Sequence, residues 1–164
     1  MELDVTCAIG AALPDGLQKG SLDLAVYEVQ NAADDEEVLF EDPTCWVASS
    51  RCSFAAREIL PVALFGHSCW WRNAAISGLE KREGPYRIAY TSLSVVGVMA
   101  AVDAGIGIGL LGRSSLRNGM SVITQSLGFE KTPTSKLVLK GANDRAGVPI
   151  SALRSAIRAA FGLV

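Results

Sequence analysis

The most regular hydrophobic pattern in this chain runs from Tyr86 to Gly112. Arg87 to Tyr90 is a β-prone run, and the polar pair Thr91-Ser92 interrupts it. Val95, Val98 or Met99, and Val102 then recur at helical spacing. Ala100, Ala101 and Ala104 keep that helix thin enough to lie close to a sheet. Either Thr91 or Ser92 can cap a helix beginning at Leu93 or Ser94. Gly105 ends it as a left-handed C-cap would, and Ile106 to Leu111 forms the next strand. This strand–helix–strand order predicts a right-handed parallel unit. Open α/β sheets bind small ligands at the carboxyl ends of such strands, near helix N-termini. The turn Thr91-Ser92-Leu93-Ser94 lies at such an end.

The same reading extends to the rest of the chain. Glu2 to Ala8 alternates strictly, with Leu3, Val5 and Cys7 on one side, which predicts a half-buried strand. A short helix follows with Leu13 and Leu17 inward, Pro14 in its first turn and Gly20 closing it. Leu22 to Tyr27 is nearly all apolar and predicts a strand buried on both faces. Residues 28–37 end in four acids and read as a solvated loop. Val38 to Phe40 and Cys45 to Ala48 predict two strand pieces broken by Pro43. Pro61 to Phe65 is a further buried strand, with Gly66-His67-Ser68-Cys69 as its turn. Trp70 to Arg82 predicts a helix, and Gly84-Pro85 ends it. A helical turn at 113–116 and strands at 120–123 and 136–140 follow. Pro149 to Phe161 closes the chain as an amphipathic helix. Its inner stripe is Ile150, Leu153, Ile157 and Phe161, with Arg154 and Arg158 outside.

Strands and helices thus alternate in two groups, and the last helix returns to the first. The expected fold class is α/β with two lobes joined by crossover strands. The first lobe takes residues 1–45 and 141–164, the second residues 46–140. Cys45 to Ala48 crosses outward and Lys136 to Lys140 crosses back, with a ligand in the cleft between the lobes.

Composition narrows the function classes. The 164 residues carry a net charge of −2 and are 49 % hydrophobic, so neither disorder nor a nucleic-acid footprint is expected. No apolar run approaches the ~18 residues of a membrane span. The first residues carry acids where a secretion signal needs bases, which predicts a cytoplasmic protein. Four cysteines without a CxxC pair, and a single histidine, give no metal site.

Candidate chemistry gathers at two turns. Ser68-Cys69 ends one strand and Thr91-Ser92 the next, each before a helix whose N-terminus favours anions. Their hydroxyls can serve as N-caps, as ligand contacts, or as both. Arg72 falls in the first turn of its helix, against the dipole, which fits either a surface arginine or a partner for an anionic ligand. Of Trp70 and Trp71, one is expected in the core. Cys69 and His67, two residues apart on one turn, make poor geometry for a catalytic dyad. The glycines at 105, 107 and 109 end a helix rather than open one, so they are not a dinucleotide fingerprint.

Several of these segments resemble one family. Gly20-Ser21-Leu22-Asp23-Leu24-Ala25 resembles the G-x-L-D-L-A segment of LysR-type transcriptional regulators, in their effector-binding domain. Val102 to Ile108 resembles that family's V-x-A-G-x-G-I. Leu60-Pro61-Val62-Ala63, Cys69, Arg72 and the closing amphipathic helix also fit. The resemblance implies a two-lobed, periplasmic-binding-protein-like (type 2) fold and a small-molecule effector, a small anion or aromatic acid, in the inter-lobe cleft. It implies no catalysis and no cofactor, a homo-oligomer, and DNA contact only through a domain outside this chain. It places Ser68, Cys69, Thr91, Ser92 and Ser94 on the cleft, with Arg72 beside them and the Ile9-Gly10 turn facing them. Relative to the family, the DNA-binding domain and the first strand–helix unit are missing, so the first lobe is expected to be incomplete, closed by re-pairing or by a partner chain. Leu111-Gly112 stands where Leu-Pro is frequent, and Cys52-Ser53-Phe54-Ala55 where His-Pro-Leu-Ala is usual. The competing readings are a stand-alone solute-binding protein of the same fold and a small α/β enzyme.

Overall fold

The computed structural model describes residues 3–8, 10, 12–54, 57–123, 127–142 and 147–163. The chain divides into two units, residues 1–41 with 135–164 and residues 42–134. Two strands run across the division: β2 (Glu37–Ser49) and β7 (Thr134–Gly141).

In the first unit, helix α1 (Ala12–Gln18) packs Leu17 on strand β1 (Leu24–Val29). Gly20, at φ +69°, makes the stop that a side-chain-bearing residue would resist. β1 pairs antiparallel with β7, from Leu24 opposite Gly141 to Val29 opposite Lys136. The core is small: Leu17, Ala25, Tyr27 and Val138, with Leu13, Leu22, Val29 and Val38 at its margin. β1 starts two residues later than expected and is half-buried: only Ala25 and Tyr27 are fully buried, with Val29 at the margin of the same core.

Three expectations in this unit are corrected. Residues 3–8 form no strand, and Leu3 and Val5 are exposed. Alternation alone does not make a strand, since the backbone needs a ladder partner. The acidic run is not merely solvated. Tyr27 donates to Glu36 at 2.5 Å, Lys140 pairs with Asp35 at 2.8 Å, and Arg154 and Arg158 both reach Glu37. Those two arginines therefore dock helix α4 (Val148–Ala160) rather than pointing away from the protein. No α4 residue is fully buried, and Phe161 is exposed.

The second unit holds the larger core. Its sheet runs β2-β5-β3-β4, with β6 (Met120–Val122) pairing with β2. Here β3 is Leu60–Phe65, β4 is Tyr86–Ser92 and β5 is Ile108–Gly112. β3 is buried at every position, lying parallel to β4 on one side and to β5 on the other. β2 runs antiparallel to β5, from Thr44 opposite Gly112 to Val47 opposite Gly109. It is one continuous strand, not two pieces. Pro43 precedes the first residue paired with β5, so its missing N–H breaks no bond of that ladder.

Helix α2 (Trp70–Lys81) buries Trp71, Arg72, Ala75 and Leu79, and its Gly78 lies against the Trp46 ring. Helix α3 (Val95–Asp103) buries Val98, Met99, Ala101 and Val102, and Gly109 lets Val98 and Val102 close on β5. Trp71 lies against Gly112 instead, three residues along the same strand, so the two helices cover opposite faces of the sheet. Gly105, at φ +72°, stops α3 as expected. Ile106 remains exposed, before the strand begins at Ile108.

Candidate functional site

Parallel pairing puts the carboxyl ends of β3, β4 and β5 on one edge of the second unit. Phe65 and Ser92 are register partners, so the turns that follow them start side by side. Gly66 allows those turns to touch. A Cβ there would meet Leu93 Cδ2 at 2.6 Å.

The turn after β4 is held by its own hydroxyls. Ser94 is the N-cap of α3, its Oγ accepting from the Gly97 amide at 3.2 Å. Ser92 Oγ accepts from the Ser94 amide at 3.2 Å. The expectation that Thr91 or Ser92 caps the helix is corrected: both are the last residues of β4, paired with Leu64 and Phe65. The β-branched Thr91 suits a strand, and capping falls to the next free serine. Thr91 and Ser94 are exposed and Ser92 half-buried. A Cβ at Gly97 would overlap Ser92 Oγ, so the glycine keeps that hydroxyl against the first turn of α3.

The turn after β3 is built differently. Cys69 takes the N-cap position of α2, and its side chain makes no capping hydrogen bond. Its backbone closes the turn through Cys69 N to Gly66 O at 3.1 Å. Ser68 is exposed one residue before. The amino end of this 12-residue helix therefore lacks a capping bond from its N-cap side chain.

Arg72 is not a surface residue: it is 6 % exposed. Its guanidinium donates to the Phe65 carbonyl at 2.9 Å, tying α2's first turn to the last residue of β3. Among the described residues no carboxylate pairs with it. Aromatic rings gather around this turn, with Phe65 5.6 Å and Trp70 5.0 Å from the Trp71 ring. Trp71 is the core member of the pair. The Trp70 indole nitrogen is buried without a hydrogen-bond partner.

At the end of β5 the sequence reading missed Asp42 and Ser114. Asp42 is buried on β2 and accepts from the Ser114 amide at 3.1 Å and the Ser114 hydroxyl at 2.6 Å. The signal was present in Gly112. A Cβ at 112 would overlap the Asp42 carboxylate.

The structure thus brings Ser68, Cys69, Arg72, Thr91, Ser92 and Ser94 to one sheet edge. Gly10 belongs to the first unit, exposed in the turn before α1, with its carbonyl accepting from Leu13 N at 3.3 Å. Ile9 lies outside the described residues. His67 is exposed, and among the described residues no group of His, Cys, Asp and Glu could hold a metal ion. No described helix is long and apolar enough to cross a membrane.

The LysR substrate binding domain family matches residues 1–161. The chain belongs to that family, the effector-binding domain of LysR-type regulators. It is 25 % identical over 157 residues to the HTH-type transcriptional regulator PecT of Dickeya dadantii, covering 96 % of this chain and 50 % of that protein. It therefore spans about half the length of the curated relatives it matches. Among solved structures it resembles the bromide-bound regulatory domain of HypT from Salmonella typhimurium. That match has TM-score 0.76 and 15 % identity, covering 94 % of this chain and 79 % of the other. It also resembles the CcmR regulatory domain of Synechocystis PCC6803 in complex with 2-PG. That match has TM-score 0.65 and 15 % identity, covering 93 % and 79 %. The fold is that of LysR regulatory domains, the periplasmic-binding-protein-like class expected.

Proposed function

We propose that this LysR effector-binding domain takes a small anion or aromatic acid at the carboxyl ends of β3 and β4, and that it works without catalysis. Ser68, Cys69, Thr91, Ser92 and Ser94 offer hydroxyl, thiol and backbone donors around the ligand, and Arg72 supplies the charge. The observation that carries this reading is Arg72, a nine-tenths buried cation whose hydrogen bond goes to a backbone carbonyl. A buried guanidinium without a counter-ion is costly, and an incoming anion offsets that cost. The amino end of α2, which receives no capping bond from the Cys69 side chain, adds to the same field.

The ligand acts on transcription through differential affinity for two states of the regulator. DNA contact belongs to a helix-turn-helix portion of the longer protein, as the HTH-type relatives suggest, and the working regulator is a cytoplasmic homo-oligomer. An exposed His67 beside a half-buried Cys69 supports no acid–base or nucleophile constellation.

The test is thermal unfolding of the 164-residue chain against benzoate, salicylate, sulfate and a broader panel of metabolite anions. A ligand at a hundred times its Kd adds about 2.7 kcal/mol, a melting shift of several degrees for a chain this size. Thr91→Val with Ser92→Ala removes most of that shift. If no compound in the panel raises the melting temperature saturably, the reading fails.

A further inference from the structure

A concavity of about 730 Å³ is lined by residues of the second unit that include none of Ser68, Arg72 and Ser92. Its position follows from how β2 meets the segment that leads into β7. Thr44 Oγ1 and Thr44 N both donate to the Pro133 carbonyl, at 2.6 and 3.2 Å, and Thr132 Oγ1 donates back to the Thr44 carbonyl. These bonds hold residues 132–134 against the strand and form one rim. The floor is the stack of Trp46 on Phe129, with centroids 4.4 Å apart. Arg82 lies over the far ring at 5.9 Å.

Two cations line the concavity, Arg113 and Lys131, both exposed. Neither is paired with a carboxylate among the described residues. Glu130, the acid of the lining, is committed to Lys81 at 3.2 Å. The hydroxyls of Thr44 and Thr132 are committed to backbone carbonyls. Cys45 stays a neutral thiol, since burial pushes its pKa up. Thr134 adds a hydroxyl, and the free charged capacity of the concavity is cationic, set beside an apolar floor.

We propose that this concavity is a second small-molecule site, taking an organic anion with a phosphate, sulfonate or carboxylate head on a flat apolar body. Arg113 and Lys131 take the head, and the body lies along the apolar lining over the Trp46–Phe129 stack. None of its lining residues lies in either turn, so the two sites share no residue, although Arg113 follows the carboxyl end of β5 on the same sheet edge.

The experiment is a titration of the ¹⁵N-labelled 164-residue chain with phenyl phosphate, and separately with inorganic phosphate, followed by amide and indole chemical shifts. Phenyl phosphate is expected to move the Arg113, Lys131 and Trp46 indole signals saturably at low millimolar concentration. The pair Arg113→Gln and Lys131→Gln weakens that binding by about tenfold or more, while Arg72→Gln leaves it unchanged. Inorganic phosphate binds more weakly, lacking the body. Several results would overturn the proposal. One is an absence of saturable shifts at about 10 mM, where even a millimolar ligand is bound. Another is binding indifferent to the Arg113 and Lys131 changes. The last is equal affinity for inorganic phosphate. Shifts confined to residues 66–72 and 92–97, lost in Arg72→Gln, would also refute it while supporting the strand-end site.

Discussion

The Asp42 carboxylate occupies the space that a Cβ at position 112 would need. β2 delivers the acid and β5 the gap, and Ser114 satisfies both carboxylate oxygens. Gly112→Ala is therefore expected to destabilise the second unit by about 1–3 kcal/mol, through displacement of a buried carboxylate. Ser114→Ala should cost about 1–2 kcal/mol, leaving Asp42 Oδ2 without its hydroxyl donor. Urea unfolding measures both. An unchanged midpoint in Gly112→Ala would mean that Asp42 leaves its place at little cost.

Arg72 separates structure from ligand recognition. Arg72→Lys keeps the charge but loses the planar fork, so the bond to Phe65 weakens at a cost of about 1 kcal/mol. If Arg72 grips the anion as proposed, the same change should lower anion affinity by about tenfold, since a planar fork becomes a point charge. Melting curves with and without benzoate read both effects. A fall in baseline stability with an intact anion response would make Arg72 only a brace between α2 and β3.

Tyr27 gives the first unit an alkaline limit. Burial, and then the hydrogen bond to Glu36, hold its hydroxyl well above the usual tyrosine range. A group whose folded pKa is raised contributes stability that is whole below its unfolded pKa, about 10. That contribution is lost as pH climbs from there toward the folded value. Absorbance at 295 nm should reveal a late-titrating tyrosine, coupled to loss of the first unit's structure. Tyr27→Phe removes that component. A tyrosine titration complete near pH 10, with the fold intact, would contradict the buried hydrogen bond.

Glu37 is the anchor of α4. It faces Arg154 at 3.6 Å and Arg158 at 3.2 Å, with all three side chains partly exposed. Glu37→Gln should cost no more than about 1 kcal/mol after solvent screening, and less at high salt. Amide exchange in residues 148–160 should accelerate. Unchanged exchange there would mean that the apolar stripe alone docks the helix.

Much of the fold was legible because hydrophobic period and glycine stops agree with burial. β3, α2, α3, β7 and the Gly105 stop follow directly from spacing. Residues 3–8 misled because alternation records only which side chains are apolar, whereas a strand also needs a neighbour to bond. Pro43 misled for a related reason: its cost depends on whether its N–H faces a partner, and only the register with β5 reveals that. At the candidate site, Ser68 and Arg72 could be placed from turn and helix positions, while the cap expected at Thr91 or Ser92 falls to Ser94. Asp42 and Ser114 could not, because residues so far apart meet only through the antiparallel pairing of β2 with β5. Gly112 marked the spot without naming its occupant.

The two units are unequal in how the polypeptide supplies them. The second is one continuous stretch, residues 42–134, while the first is split around it. During synthesis the second unit can close as soon as residue 134 has left the ribosome. The first must keep β1 and α1 waiting for β7 and α4, with Leu17, Ala25 and Tyr27 uncovered in the interval. Nascent chains arrested shortly after residue 134 should thus contain a protease-resistant second unit beside a cleavable first, which makes the earlier-made half the later to mature.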